Sequence, residues 1–359
     1  MSGSLIQIRS MQAAILTELK QPLVLDEVKL PEKLEYGQVL VRIAYSGICG
    51  AQLGEIDGVK GEDRFLPHLL GHEGSGTVLE IGPSVKTVSP GQRVVLHWRK
   101  GRGIDSGTPT YRWNGRPLNA GWVTTFNEYA VVSENRVTAI PDGLEMDMAP
   151  LFGCAVTTGL GVINNNARVR IGESVVVFGA GGVGLNVIQG AALASAYPII
   201  GVDLFDHKLE IARRFGATHT INARKQDARA EIPRLVGKAG ADVVVDNTGQ
   251  VEIIQTAYEL TAPQGRVICV GVPTKGQKTS IYTLPLHFGK VITGSHGGET
   301  DPTVDIPRYS RLYHGGKLQL KELITDRFPF AKINEAIAKM RKGEIAGRCL
   351  LEIAPDADK

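Results

Sequence analysis

The stretch Gly179-Ala180-Gly181-Gly182-Val183-Gly184 decides the fold of the second half of this chain. It follows the hydrophobic run Ser174–Phe178, which predicts a strand, and it leads into Val183–Ala194, which predicts a helix of small residues. Glycines between a strand and a helix permit a tight turn, close approach of a pyrophosphate and close helix–strand packing. The candidate nucleotide contacts are therefore Gly179, Gly181, Gly182, Val183 and Gly184.

An acidic residue stands where a dinucleotide site needs one. Asp203 ends the next predicted strand, Pro198–Val202, about 20 residues beyond the glycine turn. A carboxylate there accepts hydrogen bonds from the adenosine ribose hydroxyls and repels a 2′-phosphate. The sequence therefore favours NAD over NADP, although the nearby His207 and Lys208 leave the strictness of that choice open.

Strands and helices continue to alternate as far as Val270, which predicts a parallel sheet with helices on both faces. Upstream, residues 11–150 hold runs of β-branched residues bounded by Gly and Pro, and they predict a β-rich domain. Beyond about residue 300, a helix at Phe330–Arg341 and a strand at Arg348–Ile353 return the chain to that first domain. The predicted class is α/β, with a β-rich domain at 1–155 and 296–359 and a doubly wound, Rossmann-type domain at 156–295.

Three residues outside the nucleotide motif form a metal-ligand set. Cys49, His72 and Cys154 offer a thiolate, an imidazole and a second thiolate, which suit a catalytic zinc with an open fourth position. The other cysteines, Cys269 and Cys349, fall within predicted strands and are expected to be packing residues. A zinc site together with a nicotinamide site indicates hydride transfer on an alcohol or carbonyl.

Composition excludes several other classes of protein. The 359 residues are 43% hydrophobic and 21% charged, with a net charge of +3 and no basic run, so nucleic acid is not an expected partner. No apolar run reaches the roughly 20 residues that span a bilayer, and no signal core precedes Gln12. Four scattered cysteines form no disulfide framework, which predicts a cytoplasmic location.

These motifs resemble the zinc-containing alcohol dehydrogenases of the medium-chain dehydrogenase/reductase family. The resemblance runs from Gln12 to about Ile353. Its motifs are Gly47-Ile48-Cys49-Gly50, Gly71-His72-Glu73, Gly153-Cys154, the glycine turn, Phe126-Asn127-Glu128-Tyr129 and a segment beginning at Phe328. It implies a GroES-like catalytic domain interrupted by a Rossmann domain, and a homodimer or homotetramer.

The resemblance also assigns roles to individual residues. Cys49, His72 and Cys154 match the ligands of the catalytic zinc, and Glu73 matches an adjacent acid that can approach the metal. The positions matched to cofactor contacts, besides the glycine turn and Asp203, are Thr158, Val270, Gly271, Val272, His296 and Arg348. Arg348 matches a basic residue that reaches the cofactor phosphates.

One departure from the family pattern lies beside the first cysteine. Relatives place Ser or Thr and then Asp where this chain has Ala51 and Gln52. Ala51 lacks the hydroxyl that starts proton transfer to solvent, and Gln52 offers a hydrogen bond to the zinc-binding imidazole without a charge. We therefore consider His97, just after a predicted strand, as an acid/base near the metal, against a structural or substrate-contacting role.

A second departure is the missing lobe of four cysteines, which in relatives binds a structural zinc. Residues 97–125 contain no cysteine, so one catalytic zinc per chain and no structural zinc are expected. The segment 99–122 reads as an aperiodic surface excursion rich in arginine and aromatic residues. Such residues suit a polar, sugar-like or anionic substrate, although a solvated loop or a subunit contact explains them as well.

The leading interpretation is an NAD- and zinc-dependent dehydrogenase of primary or secondary alcohols. Two alternatives remain open: a zinc-independent NAD(P)H-dependent reductase of an activated double bond or quinone, and a dinucleotide-binding protein without catalysis. The ligand set argues against the first alternative, and Ala51 with Gln52 lends the second some support.

Overall fold

The computed structural model describes residues 7–354, and the chain divides into two compact units. Unit 1 comprises Met1–Cys154, Asp301–Gly316 and Ile324–Lys359, and unit 2 comprises Ala155–Thr300 and Lys317–Leu323. The predicted bounds place Ala155, residues 296–300 and residues 317–323 in the first domain, whereas these units place them in the second. No helix among residues 7–354 is both long enough and apolar enough to cross a membrane.

Unit 1 begins with short strands that form two sheets. Its elements up to residue 139 are β1 (Ser10–Leu16), β2 (Val24–Lys29), β3 (Gln38–Ile48), α1 (Gly50–Ile56), β4 (His68–Leu69), β5 (Glu73–Ile81), β6 (Arg93–His97), β7 (Tyr111–Trp113), β8 (Arg116–Leu118), β9 (Tyr129–Ser133) and β10 (Val137–Ala139). One sheet has the order β4-β1-β2-β7-β8. The long strand β3 pairs with both β5 and β9 in the other sheet, which also contains β6 and β10.

Unit 2 is a parallel sheet with helices in the connections. Its elements are α2 (Ala155–Gly161), β11 (Val175–Phe178), α3 (Gly182–Leu193), β12 (Ile199–Asp203), α4 (Asp206–Arg214), β13 (His219–Asn222), α5 (Ala228–Val236), β14 (Ala241–Asp246), α6 (Val251–Leu260), β15 (Thr261–Cys269) and β16 (Val291–Gly294). The strand order is β13-β12-β11-β14-β15-β16. The chain adds strands on one side of β11 up to β13 and then crosses to the other side of β11 with β14. This is the doubly wound order that places ligands at the carboxyl ends of the central strands.

The last elements return to unit 1, as the sequence predicted. They are α7 (Pro302–His314), β17 (Ile324–Pro329), α8 (Ile333–Arg341) and β18 (Arg348–Glu352). Strand β18 pairs antiparallel with β3, so Cys349 lies opposite Ile48. This pairing brings the side chain of Arg348 to the end of β3, where Cys49 follows.

The segment 99–122 is more ordered than the sequence indicated. Strands β7 and β8 form a hairpin in which Trp113 pairs with Arg116 across Asn114 and Gly115. Both turn residues have positive φ, 49° and 76°, which is typical of the two-residue Asn-Gly turn. The prediction of an aperiodic excursion was therefore wrong for this part, because the Asn-Gly turn signal was not used.

Candidate metal centre and nucleotide site

Backbone turns in unit 1 set the positions of the three candidate metal ligands. Cys49 follows β3 and is the extended residue that precedes α1, whereas His72 precedes β5. Gly71 before it has φ +93°, and a Cβ there would lie 2.4 Å from the Thr125 hydroxyl. Cys154 lies between a 3-10 turn and α2, with φ −149° and ψ −70°.

The three side chains converge on one point. One ligand atom from each of Cys49, His72 and Cys154 lies within 4.8 Å of the others, and the two sulfurs are 3.9 Å apart. Both cysteines are buried and neither forms a disulfide. No other group of three or more such side chains with metal-binding spacing occurs within residues 7–354.

The pKa values of the two thiols are shifted in opposite directions. A hydrogen bond from Cys154 lowers the pKa of Cys49 well below its ordinary value, against the effect of burial, and the charge of Arg348 acts in the same direction. The hydrogen bond to Cys49, together with burial, raises the pKa of Cys154. A thiolate beside a thiol is an arrangement that loses its remaining proton readily to a bound cation.

The two ring nitrogens of His72 differ in their partners. Nδ1 lies 2.5 Å from the side-chain amide of Gln52 on α1, whereas Nε2 is buried without a hydrogen-bond partner among the described residues. Burial acts to lower the pKa of His72, but the neighbouring Cys49 outweighs it and raises the pKa. A metal-binding imidazole has this pattern, because one nitrogen is oriented by a neighbour and the other faces the ion.

Glu73 and Arg348 form a buried ion pair behind the cluster. Glu73 Oε1 lies 3.4 Å from Arg348 Nε, and both side chains are almost fully buried. Burial opposes the charge of Arg348, but Glu73 and Cys49 outweigh it and raise its pKa. The structure thus places Arg348 beside the candidate metal ligands of unit 1, and its assignment to the cofactor phosphates stays a prediction.

The structure does not bring His97 into the metal cluster. Its Nδ1 lies 2.8 Å from the carbonyl oxygen of Arg99, and its Nε2 lies 2.9 Å from the Thr138 hydroxyl. Burial is the main cause that lowers the pKa of His97 to about 4. Two engaged ring nitrogens and a neutral ring favour a structural role for His97, and its acid/base role stays a prediction.

Unit 2 shapes the predicted nucleotide turn. Gly179 has φ +89°, and a Cβ on Gly184 would lie 1.8 Å from the Gly179 carbonyl oxygen, so both positions require glycine. Gly181 precedes α3, whose first residues are Gly182 and Val183 and whose free N–H groups point toward the turn. The local structure therefore has the form that a pyrophosphate-binding turn needs.

Asp203 closes this turn from the end of β12. Its Oδ2 accepts a hydrogen bond from Ala180 N at 2.8 Å, and its Oδ1 accepts one from Leu204 N at 2.7 Å. Nearby, the guanidinium of Arg224 lies 4.4 Å and the ammonium of Lys208 lies 5.2 Å from the ring centroid of Phe205. The sequence indicated Lys208 but not Arg224, which only the parallel pairing of β12 and β13 brings close.

The remaining predicted cofactor positions also lie in unit 2. Val270 N and Gly271 N both donate to the Asp246 carbonyl oxygen, at 2.8 and 3.0 Å. Val272 is 57% exposed, Thr158 is buried on α2, and His296 N donates to the Glu299 carboxylate at 2.9 Å. These contacts describe the local backbone, and the cofactor roles of these residues stay predictions.

Comparisons with known proteins agree with this architecture. Residues 35–142 match the model of the alcohol dehydrogenase GroES-like domain, and residues 182–313 match that of the zinc-binding dehydrogenases. The chain is 34% identical to S-(hydroxymethyl)glutathione dehydrogenase of Paracoccus denitrificans, over 93% of this chain and 97% of that one. It is also 34% identical to alcohol dehydrogenase class-3 of Cereibacter sphaeroides, with the same coverage.

Solved structures show the same similarity. Benzyl alcohol dehydrogenase of Acinetobacter calcoaceticus superposes with a TM-score of 0.87 at 29% identity, covering 97% of this chain and all of that one. An alcohol dehydrogenase zinc-binding domain protein of Burkholderia ambifaria gives 0.88 at 28% identity, covering 96% and 99%. Fold and ligand set together define a zinc-type dehydrogenase. The chain belongs to the alcohol dehydrogenases of the medium-chain dehydrogenase/reductase family.

Proposed function

We propose that this chain is an NAD-dependent alcohol dehydrogenase with one catalytic zinc, and that its substrates are polar or anionic alcohols and the corresponding carbonyl compounds. The observation that carries the proposal is the buried, unpartnered Nε2 of His72, which faces two buried thiols. A nitrogen in that position without a ligand is costly, whereas a cation bound to it removes the cost.

The charges of the surrounding residues also fit a divalent ion. When Cys49 and Cys154 are both ionised, their two negative charges balance the ion, and Glu73 with Arg348 forms a separately neutral pair. A buried site is least costly when its charges cancel in this way. The donor set of two sulfurs and one nitrogen matches catalytic zinc.

Each side chain then has a defined task in the reaction. Bound zinc would act as a Lewis acid on the oxygen of the alcohol or carbonyl. Gln52 orients the imidazole plane of His72 through its amide nitrogen, which faces Nδ1. A half-turn of this amide directs its oxygen to Nδ1–H, the arrangement that a ligand binding through Nε2 requires. Ala51 offers no hydroxyl, so the alcohol proton leaves by a route that bypasses residue 51.

For unit 2 we propose NAD as the hydride acceptor. The pyrophosphate would lie on the glycine turn, and the adenosine ribose would bind the carboxylate of Asp203. Arg224 and Lys208 both lie close to the ring of Phe205, and their positive charges favour a 2′-phosphate. The carboxylate of Asp203 is therefore the group that opposes a 2′-phosphate. Asp203→Ser is expected to raise the ratio of kcat/KM for NADP to that for NAD by at least about tenfold, and an unchanged ratio would contradict this role.

We also propose that the chain forms a homo-oligomer, a homodimer or homotetramer, in the cytoplasm. Strand β16 is an edge of the parallel sheet, and Val291 on it is 46% exposed. Phe288 and Leu284 nearby are 67% and 49% exposed, and such an apolar edge is normally covered. Light scattering on the wild type and Val291→Lys tests this: a smaller mass is expected for the variant.

One assay tests the proposed activity. The purified protein with NAD is mixed with neutral and charged alcohols, and NADH is followed by absorbance while zinc is measured on the same sample. Zinc-dependent NADH formation supports the proposal. Turnover of quinones or activated double bonds in zinc-free protein would favour a zinc-independent reductase, and NADH binding without turnover on any substrate would favour a non-catalytic protein.

A further inference from the structure

A cationic and aromatic cluster lies directly beside the metal ligands in unit 1. Trp98 follows β6, and the centroid of its ring is 6.5 Å from that of the His72 imidazole. The guanidinium carbon of Arg99 lies 5.9 Å from the Trp98 ring centroid. The indole ring of Trp98 and the positive charge of Arg99 therefore lie next to the His72 imidazole in space.

A second arginine belongs to the same cluster. Arg136 is only 2% exposed, and its guanidinium donates a hydrogen bond to the Trp98 carbonyl oxygen. Its guanidinium carbon lies 5.0 Å from the ring centroid of Trp122, which is itself 63% exposed. Arg136 thus contacts both the buried backbone of Trp98 and the solvent-exposed ring of Trp122.

The charge of Arg136 is not balanced by the protein. Within residues 7–354 no carboxylate forms an ion pair with it, and its Nε is buried without a hydrogen-bond partner. The acid whose charge acts on Arg136, Asp105, already pairs with Lys100 at 2.5 Å. A buried cation without a counter-charge is destabilising, and a ligand that brings an anion would offset that cost.

We propose that Trp98, Arg99, Trp122 and Arg136 form a substrate subsite that binds the carboxylate or phosphate group of an alcohol whose hydroxyl reaches the metal centre. The proposal rests on the proposed function and narrows its substrate class. Trp98 packs against the carbon skeleton next to His72, and the planar fork of Arg99 binds the anion. Arg136 is a positioning residue that holds the Trp98 backbone and adds a second positive charge.

Matched pairs of alcohols test the subsite in the zinc-loaded protein with NAD. Benzyl alcohol and 4-(hydroxymethyl)benzoate differ by one carboxylate, and glycerol and glycerol 3-phosphate differ by one phosphate. We expect the wild type to prefer the charged member of at least one pair by about tenfold or more in kcat/KM, the size of one charge-assisted hydrogen bond. The preferred pair identifies the anion, and equal kcat/KM values within both pairs would overturn the proposal.

Variants in the same loop assign the preference to a residue. Arg99→Gln is expected to lower the charged-to-neutral ratio by about tenfold, mainly through KM. Arg102→Gln is the matched control, because Arg102 is exposed in the same loop and its side chain belongs to neither aromatic contact. Equal losses of the ratio in Arg99→Gln and Arg102→Gln would show a general surface charge effect and contradict the proposal.

A binding measurement separates this proposal from the proposed activity. Intrinsic tryptophan fluorescence is followed at constant ionic strength while benzoate, inorganic phosphate or neutral benzamide is added. Saturable quenching by benzoate or phosphate, absent with benzamide and weakened in Arg99→Gln, supports the subsite even in a protein that oxidises no alcohol. Oxidation of neutral alcohols without charge preference, and without such quenching, would leave the dehydrogenase proposal intact and reject the subsite.

Discussion

Two histidines on neighbouring strands of unit 1 have opposite surroundings. His72 immediately precedes β5 and His97 ends β6, and these strands pair so that Glu73 faces His97. Protein groups engage both nitrogens of His97, whereas His72 has one nitrogen at Gln52 and the other without a hydrogen-bond partner among the described residues. Since proteins rarely leave a buried nitrogen unpaired, the difference favours His72 over His97 as the metal-binding histidine that we propose.

The largest expected effect separates the two histidines by activity. His72→Asn is expected to lower kcat/KM by at least about 10³-fold, because loss of a ligand removes the metal and its Lewis-acid effect. His97→Asn should keep most of the activity and an unaltered pH–rate profile. Steady-state kinetics on both variants measure this, and a similar loss in both would remove the distinction between the two sites.

The second effect concerns stability and its dependence on pH. Burial, with a smaller contribution from Arg136 and against Asp301, holds the pKa of His97 at about 4, below the ordinary 6.5. The unfolded chain therefore binds a proton that the folded chain does not, and stability is lost as pH falls from 6.5 to 4, by about 3 kcal/mol.

Asn at position 97 removes this titration. At pH 7 His97→Asn is expected to lower the free energy of unfolding by about 1–3 kcal/mol through the lost hydrogen bonds. That difference from the wild type should shrink or reverse toward pH 4. Urea unfolding at pH 7, 5.5 and 4 provides the comparison, and a difference independent of pH would argue against a neutral, buried His97.

A third test changes the partner of His72. Gln52→Ala is expected to weaken zinc binding by about 10- to 100-fold, because the imidazole loses the group that orients it. Gln52→Asp, which restores a carboxylate at this position, serves as the control and should bind zinc at least as tightly as the wild type. Competition with a chromophoric chelator gives the affinities, and equal values for all three proteins would exclude an orienting role.

The smallest expected effect concerns the missing hydroxyl. Ala51→Thr is expected to raise kcat by about tenfold or less, since acid–base groups contribute roughly 10²–10⁴-fold and solvent already supplies part of that. Ala51→Val is the control, because valine has nearly the same shape as threonine but no hydroxyl. A rise in kcat in Ala51→Thr but not in Ala51→Val, with a changed pH dependence of kcat, supports a role for the missing hydroxyl. Equal effects of both variants would indicate a change in packing only.

Local sequence signals predicted much of the fold. The glycine turn and Asp203 gave the strand–helix–strand start of unit 2, because each signal lies within about 20 residues of chain. The grouping of Cys49, His72 and Cys154 was expected from their residue types and the family resemblance, and the structure brings them together. The hairpin at β7 and β8 carries a local signal in Asn114 and Gly115, which sequence reasoning overlooked.

Contacts between residues far apart along the chain could not be predicted from the sequence. His97 and Arg136 lie far apart along the chain, and only the pairing of β6 with β10 reveals that Thr138 engages the His97 ring. The same pairing brings Arg136 behind Trp98. Because no local motif marks these contacts, sequence reasoning placed His97 near the metal and did not identify Arg136.

The zinc content of the purified protein shows whether Cys49, His72 and Cys154 bind a metal. Metal analysis of the wild type, His72→Asn, Cys49→Ala and His97→Asn, each purified without chelators, reports occupancy independently of any substrate. We expect one zinc per chain in the wild type and in His97→Asn, and none in His72→Asn and Cys49→Ala. A wild type without zinc, or a His72→Asn protein that keeps a full equivalent, would contradict it.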